Sequence, residues 1–166
     1  MGKGVISDYN DLSTARARSH VLGNADVIFL CGARLNWILH FGLPPRFRKD
    51  VKFIQLENDP LEMNTNVTSE IPLCGDAKVI LGQLNEALAT SGFAAGKADT
   101  SEWKRAIKAK SDKNAKVSEE LGRDLTLPMN YYTSIGIVQE EIARYGENYI
   151  IVSEGSNTMD IGRTVL

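Results

Sequence analysis

The sequence predicts an α/β fold built on a parallel sheet, and three stretches carry that prediction. Val27 to Cys31 is a continuous apolar run bounded by Asp26 and Gly32, the pattern of a strand covered on both faces. Lys52 to Glu57 reads as a second strand, closed by Asn58-Asp59-Pro60. From Ala77 onward, Val79, Ile80, Leu84, Ala87 and Leu88 recur at helical spacing until Ser91-Gly92 stops them. Strand, connection, strand, connection, strand and helix is the alternation of parallel strands joined by crossovers.

The remaining elements follow in order. Thr14 to Leu22 predicts a short helix, with Ser13 or Thr14 as cap and Gly23-Asn24 as stop. Ile71 to Cys74 is a shorter third strand, and Pro72, which lacks an amide donor, assigns it to an edge. Right-handed crossovers then bring the turns after Cys31, Glu57 and Cys74 to the carboxyl edge of the sheet, where open α/β sheets bind ligands. Phe93 to Thr100 is small, polar and aperiodic, as expected of an interdomain linker. Ser101 to Leu121 is a charged helix with Trp103, Ile107 and Val117 as sparse apolar contacts, and Pro128 ends the connection after it. Tyr131 to Tyr145 is a second amphipathic helix, Tyr149 to Val152 a buried strand, and the turn that follows opens another helix. One strand with two helices cannot bury both of its faces, and about three strands fall short of the five or six of a doubly wound sheet. Both ends of the chain are therefore expected to cut through domains.

Composition narrows the function. A 166-residue chain with 43% hydrophobic and 24% charged residues is ordinary globular material, and a net charge of -2 leaves no basic footprint for nucleic acid. Arg46-Phe47-Arg48-Lys49 reads as a solvated turn. Cys31 and Cys74 sit in short apolar runs ending at glycines, so both are expected to be small buried hydrophobes. With only His20 and His40 besides, no Cys/His set has zinc spacing, and no protein metal site is expected. No apolar run reaches the ~20 residues of a membrane-spanning helix, and the first residues lack the apolar segment of a signal peptide. The expected location is intracellular and soluble, cytoplasmic or peroxisomal, although Arg163-Thr164-Val165-Leu166 is not a Ser-Lys-Leu address.

Two turns carry the candidate chemistry. Gly32-Ala33 directly after a strand lets a ligand approach the backbone and leaves main-chain donors for phosphate, and Arg34 adds a fork of donors suited to it. The same pair also reads as a plain turn, since the Gly-x-Gly-x-x-Gly fingerprint is absent. Glu57 stands where dinucleotide folds hold ribose hydroxyls, or is a solvated carboxylate at a strand end. Gly75-Asp76-Ala77 is a third turn at the same edge, where Asp76 reads as a cap for the helix beginning at Ala77 ahead of a ligand contact. Trp37, Phe41 and Phe47 are core or interface residues before they are a platform for adenine. Glu154-Gly155-Ser156-Asn157 opens a helix, a setting for an anion or simply a capped turn.

The stretch from Val27 through Gly32-Ala33-Arg34-Leu35-Asn36-Trp37 to Pro44-Pro45-Arg46-Phe47 resembles the central domain of the thiamine-diphosphate-dependent 2-hydroxyacyl-CoA lyases and the related oxalyl-CoA decarboxylases. Ser153 to Arg163 resembles the opening of that family's cofactor domain, and Pro128-Met129-Asn130-Tyr131-Tyr132 its entry. The resemblance spans nearly the whole chain, strongest over 25–57 and 128–166 and weakest over 93–126. It implies a partial Rossmann-like central domain (1–92), a linker with a charged helix (93–127), and the first helix-strand unit of a thiamine-diphosphate-binding domain (128–166). It places Gly32, Ala33, Arg34 and Glu57 beside ADP or the coenzyme A nucleotide, with Glu57 where relatives carry Asp, a longer side chain that alters the ribose geometry. It sets Glu154, Gly155, Ser156 and Asn157 against the cofactor diphosphate.

For the complete enzyme the resemblance implies thiamine diphosphate and Mg2+, an acyl-CoA substrate, a homo-oligomer with sites between subunits, and a role in fatty acid alpha-oxidation. The reaction is carbon-carbon cleavage of a 2-hydroxyacyl-CoA to formyl-CoA and an aldehyde. The activating glutamate and the metal-binding Gly-Asp-Gly motif of the family do not occur in these residues, so this chain alone carries no catalytic residue and is expected to be inactive. An oxalyl-CoA decarboxylase-like fragment and a non-catalytic ADP- or CoA-binding module are the alternatives.

Overall fold

The computed structural model describes residues 5–7, 10–92, 101–146, 148–152 and 154–165. They form two compact units, Met1–Lys108 and Ala109–Leu166.

The first unit holds a three-stranded parallel sheet in the order β1 (Val27–Cys31), β2 (Lys52–Glu57), β3 (Ile71–Cys74). The strands match the expected bounds, and Pro72 lies on an edge strand level with Gln55. A 3-10 turn, Ala15–Ala17, leads into α1 (Arg18–Asn24), so the helix runs two residues beyond the expected Leu22. The register sorts side chains by face: Ile28, Leu30, Phe53 and Gln55 share one, Val27, Phe29, Ile54 and Leu56 the other.

The first face carries the core. Leu30, Leu35, Phe47 and Phe53 are buried together, with Leu22, Leu39, Val51 and Val67 packed around them. The Phe47 and Phe53 rings meet at 5.7 Å between centroids. Phe47 thus sits in the core while its neighbours Arg46, Arg48 and Lys49 are exposed, so only the charged members of that cluster are solvated. Between β1 and β2, two 3-10 turns over Trp37–Gly42 are broken by left-handed backbone at His40 and Phe41. Gly42 completes that reversal at φ 72, where a Cβ would fall 2.9 Å from Leu35 and 3.0 Å from Val67. Glycine is required there both by backbone conformation and by space.

The opposite face departs from expectation. Along β1, Val27, Phe29 and Cys31 are exposed, so this strand is not covered on both faces. Cys31 and Cys74 are both exposed free thiols and not buried hydrophobes. An apolar run shows that a strand is able to be buried on both sides, and only packing neighbours decide whether it is. Helix α2 (Ala77–Thr90) forms as predicted, with the Asp76 carboxylate accepting from Val79 N at 3.1 Å, but none of its residues is buried.

Helix α3 (Glu102–Gly122) matches the charged helix. Near its start, Trp103 stacks on His20 with 6.0 Å between ring centroids. The expected linker Phe93–Thr100 lies outside the described residues.

In the second unit, α4 (Tyr131–Ala143) ends two residues before the expected Tyr145 and is capped by the Asn130 side chain, which accepts from Thr133 N at 3.0 Å. The buried Thr133 hydroxyl lies 2.8 Å from both Leu121 O and Asp124 O, tying the helix to the corner before it. Helix α5 (Ser156–Val165) packs on α4. Tyr149 to Val152 is not a strand: it belongs to no sheet, and Ile150 is 91% exposed. A strand exists through its partner, and among the described residues the second unit offers none.

Candidate functional site

The turns after β1, β2 and β3 reach the same carboxyl edge, because parallel strands end together. Gly32 adopts φ 59 with open space where a Cβ would stand, so conformation alone selects glycine there. Its amide donates to Leu56 O at 2.9 Å and extends the ladder. The expectation that this amide is free for phosphate is therefore corrected: the sheet consumes it. The Gly75 amide is used in the same way, by Glu57 O at 3.0 Å. Ala33 and Arg34 lie beyond the last ladder bond, and the Arg34 side chain is 65% exposed.

Glu57 closes β2 level with Cys74, and Gly32 follows Cys31, the partner of Leu56, so Glu57 and Gly32 face each other across the strand ends. One Glu57 carboxylate oxygen accepts from the following amide, Asn58 N, at 2.9 Å. The predicted nucleotide residues Gly32, Ala33, Arg34 and Glu57 thus converge at one edge. Trp37 and Phe41 are exposed, and Phe47 is in the core.

The β2–β3 connection supplies residues that the sequence did not single out. Glu62 Oε1 lies 3.3 Å from Arg34 Nε. Asn66 Nδ2 donates to Leu35 O at 2.9 Å, a second tie between the two loops. Beneath them Gln55, buried on β2, donates through Nε2 to Glu62 O at 3.1 Å, while its Oε1 accepts from Asn64 N at 3.2 Å and Ser69 Oγ at 2.9 Å. Asn64 and Asn66 both adopt positive φ, 60 and 70. Asn-Thr-Asn between two strands is the sequence signal that marks such a left-handed loop.

The second candidate turn opens α5. Gly155 has φ 91 with open space around a Cβ, and Glu154 and Ser156 are exposed. Asn157 lies in the first turn of the helix. A hydroxyl and a helix N-terminus suit a diphosphate, whereas Glu154 adds a like charge. Residues for a metal are lacking: among the described residues no group of three His, Cys, Asp or Glu side chains gathers.

Residues 1–84 match the family described as thiamine pyrophosphate enzyme, central domain. Across all 166 residues the chain is 46% identical to 2-hydroxyacyl-CoA lyase 1 of Mus musculus and of Homo sapiens, covering 28% of each. It is 36% identical to the oxalyl-CoA decarboxylase of Escherichia coli K12 over 168 aligned residues, again covering the whole chain and 28% of the relative. The chain therefore spans under a third of the length of these relatives. With its parallel sheet, its crossovers and a family match over half its length, the chain belongs to the thiamine pyrophosphate enzymes, through their central domain.

Proposed function

We propose that this chain is a segment of a 2-hydroxyacyl-CoA lyase-like enzyme, contributing an adenine-nucleotide site and the opening of the thiamine diphosphate site. The observation that carries the nucleotide half is the convergence of Gly32, Ala33, Arg34 and Glu57 at one sheet edge. There an exposed guanidinium suits a phosphate and a carboxylate suits ribose hydroxyls. ADP or the nucleotide end of an acyl-CoA has both groups. In this division 1–92 is central domain, 93–127 a linker and 128–166 the start of the cofactor domain. Identities to lyases run from 33% to 46% and stand at 36% to a decarboxylase, and the highest of them, to the two mammalian lyases, support carbon-carbon cleavage giving formyl-CoA and an aldehyde over decarboxylation.

Glu154, Gly155, Ser156 and Asn157 would hold the cofactor diphosphate through the hydroxyl and the helix N-terminus. When bound, thiamine diphosphate supplies an electron sink for bond cleavage. Among the described residues no group of three His, Cys, Asp or Glu side chains stands ready for magnesium. The complete enzyme is expected to be a homo-oligomer.

Titration calorimetry with ADP and CoA tests the nucleotide site. Arg34→Ala should lower ADP affinity about tenfold or more, the worth of a lost charge-assisted hydrogen bond. Unchanged binding in that variant would remove Arg34 from the site. The chain alone should show no lyase turnover with thiamine diphosphate and a 2-hydroxyacyl-CoA, and measurable turnover would overturn the assignment as a segment.

A further inference from the structure

An arginine reaching into solvent from a turn samples many rotamers, and ordering it on ligand binding costs affinity. Arg34 is not left in that state. Its Nε faces Glu62 Oε1 at 3.3 Å, and Glu62 is the less exposed partner, its side chain 29% accessible against 65% for Arg34. A guanidinium engaged through Nε keeps both terminal amino groups available as a parallel fork.

Glu62 is itself held from below. Its amide donates to Asp59 O at 3.1 Å and its carbonyl accepts from the buried Gln55 side chain. Gln55 fixes the far side of the same loop through Asn64 and Ser69, and Ser69 N closes the ring on Asn64 Oδ1 at 2.8 Å. Asn66 anchors that loop to Leu35 O, the residue after Arg34. The carboxylate and the guanidinium thus stand on two loops bound to each other and to a buried strand residue.

We infer that Glu62 is a positioning residue for nucleotide binding: it holds Arg34 by Nε so that the two terminal amino groups face a phosphate at the sheet edge, with Gln55 holding Glu62 in turn. This rests on the nucleotide-site reading above. An exposed ion pair contributes little to folding, so its effect falls on ligand binding and not on stability.

The experiment is calorimetric titration of ADP into the protein, Glu62→Ala, Glu62→Gln, Arg34→Ala and the Arg34→Ala/Glu62→Ala double variant, with circular dichroism to verify folding. Glu62→Ala should weaken ADP about three- to fivefold, the scale of an exposed ion pair. Glu62→Gln, which keeps the shape and removes the charge, should lose about as much as Glu62→Ala, because the contact is an ion pair. In the Arg34→Ala background Glu62→Ala should change nothing. Unchanged or tighter ADP binding by Glu62→Ala, or an equal loss without Arg34, overturns the inference while leaving the nucleotide site intact. Absence of ADP binding by the unsubstituted protein removes the nucleotide reading itself.

Discussion

The two units contain apolar runs of similar strength but put them to different use. In the first, Val27–Cys31 pairs with Lys52–Glu57, and Leu30, Phe47 and Phe53 become a buried cluster. In the second, Tyr149–Val152 is equally apolar yet lies exposed outside any sheet, and among the described residues the most buried side chain is that of Thr133. Apolar sequence supplies the capacity for burial, whereas ladder partners and packing neighbours decide where it is realised.

The sharpest way to break this contrast is truncation on each side of it. Phe53→Ala should cost about 3–5 kcal/mol, and Ile150→Ala should stay within about 0.5 kcal/mol, read from urea denaturation of each variant. Comparable losses would mean that the exposed segment is packed. A smaller effect is expected where the second unit relies on hydrogen bonds: Thr133→Val should cost about 1 kcal/mol by removing the donor shared by Leu121 O and Asp124 O. Faster amide exchange at the start of α4, with β1 to β3 unchanged, is the expected signature.

The smallest effect is electrostatic and belongs to the first unit. Arg48 Nη2 donates to Asp50 Oδ2 at 2.7 Å, and this bond holds the Asp50 carboxyl below its ordinary range and raises the Arg48 guanidinium. A depressed folded value means that the pair contributes above the ordinary aspartate range and that its contribution fades as pH falls through the lowered value. Both groups are at the surface, so the change should be visible in the Asp50 carboxyl resonance during an acid titration and barely in the melting temperature. An Asp50 that titrates at its ordinary value would dissolve the pair.

Much of the architecture was legible because its signals are local. The three strands, α2 with its Asp76 cap, and the charged helix α3 follow from apolar periodicity and turn residues within a few positions of each other. The errors concern properties set at a distance. Cover over Val27, Phe29 and the two cysteines depends on what packs against the sheet, and the Gly32 amide is consumed by an oxygen on the neighbouring strand. The convergence of the strand-end turns was readable from topology rules. The Arg34–Glu62 contact was not, since it joins two loops whose approach is set by the Gln55 network beneath them.

The exposed thiols have a practical consequence. Cys31 is level with Leu56 and Cys74 with Glu57, one position further along β2, so the two sulfurs project to opposite sides of the sheet near its carboxyl edge. They are two native attachment points for a fluorophore or spin label, one on each side of the sheet. A probe on either reports the same edge from a different environment, so a ligand arriving there can be followed from both sides without engineering a new residue into the chain.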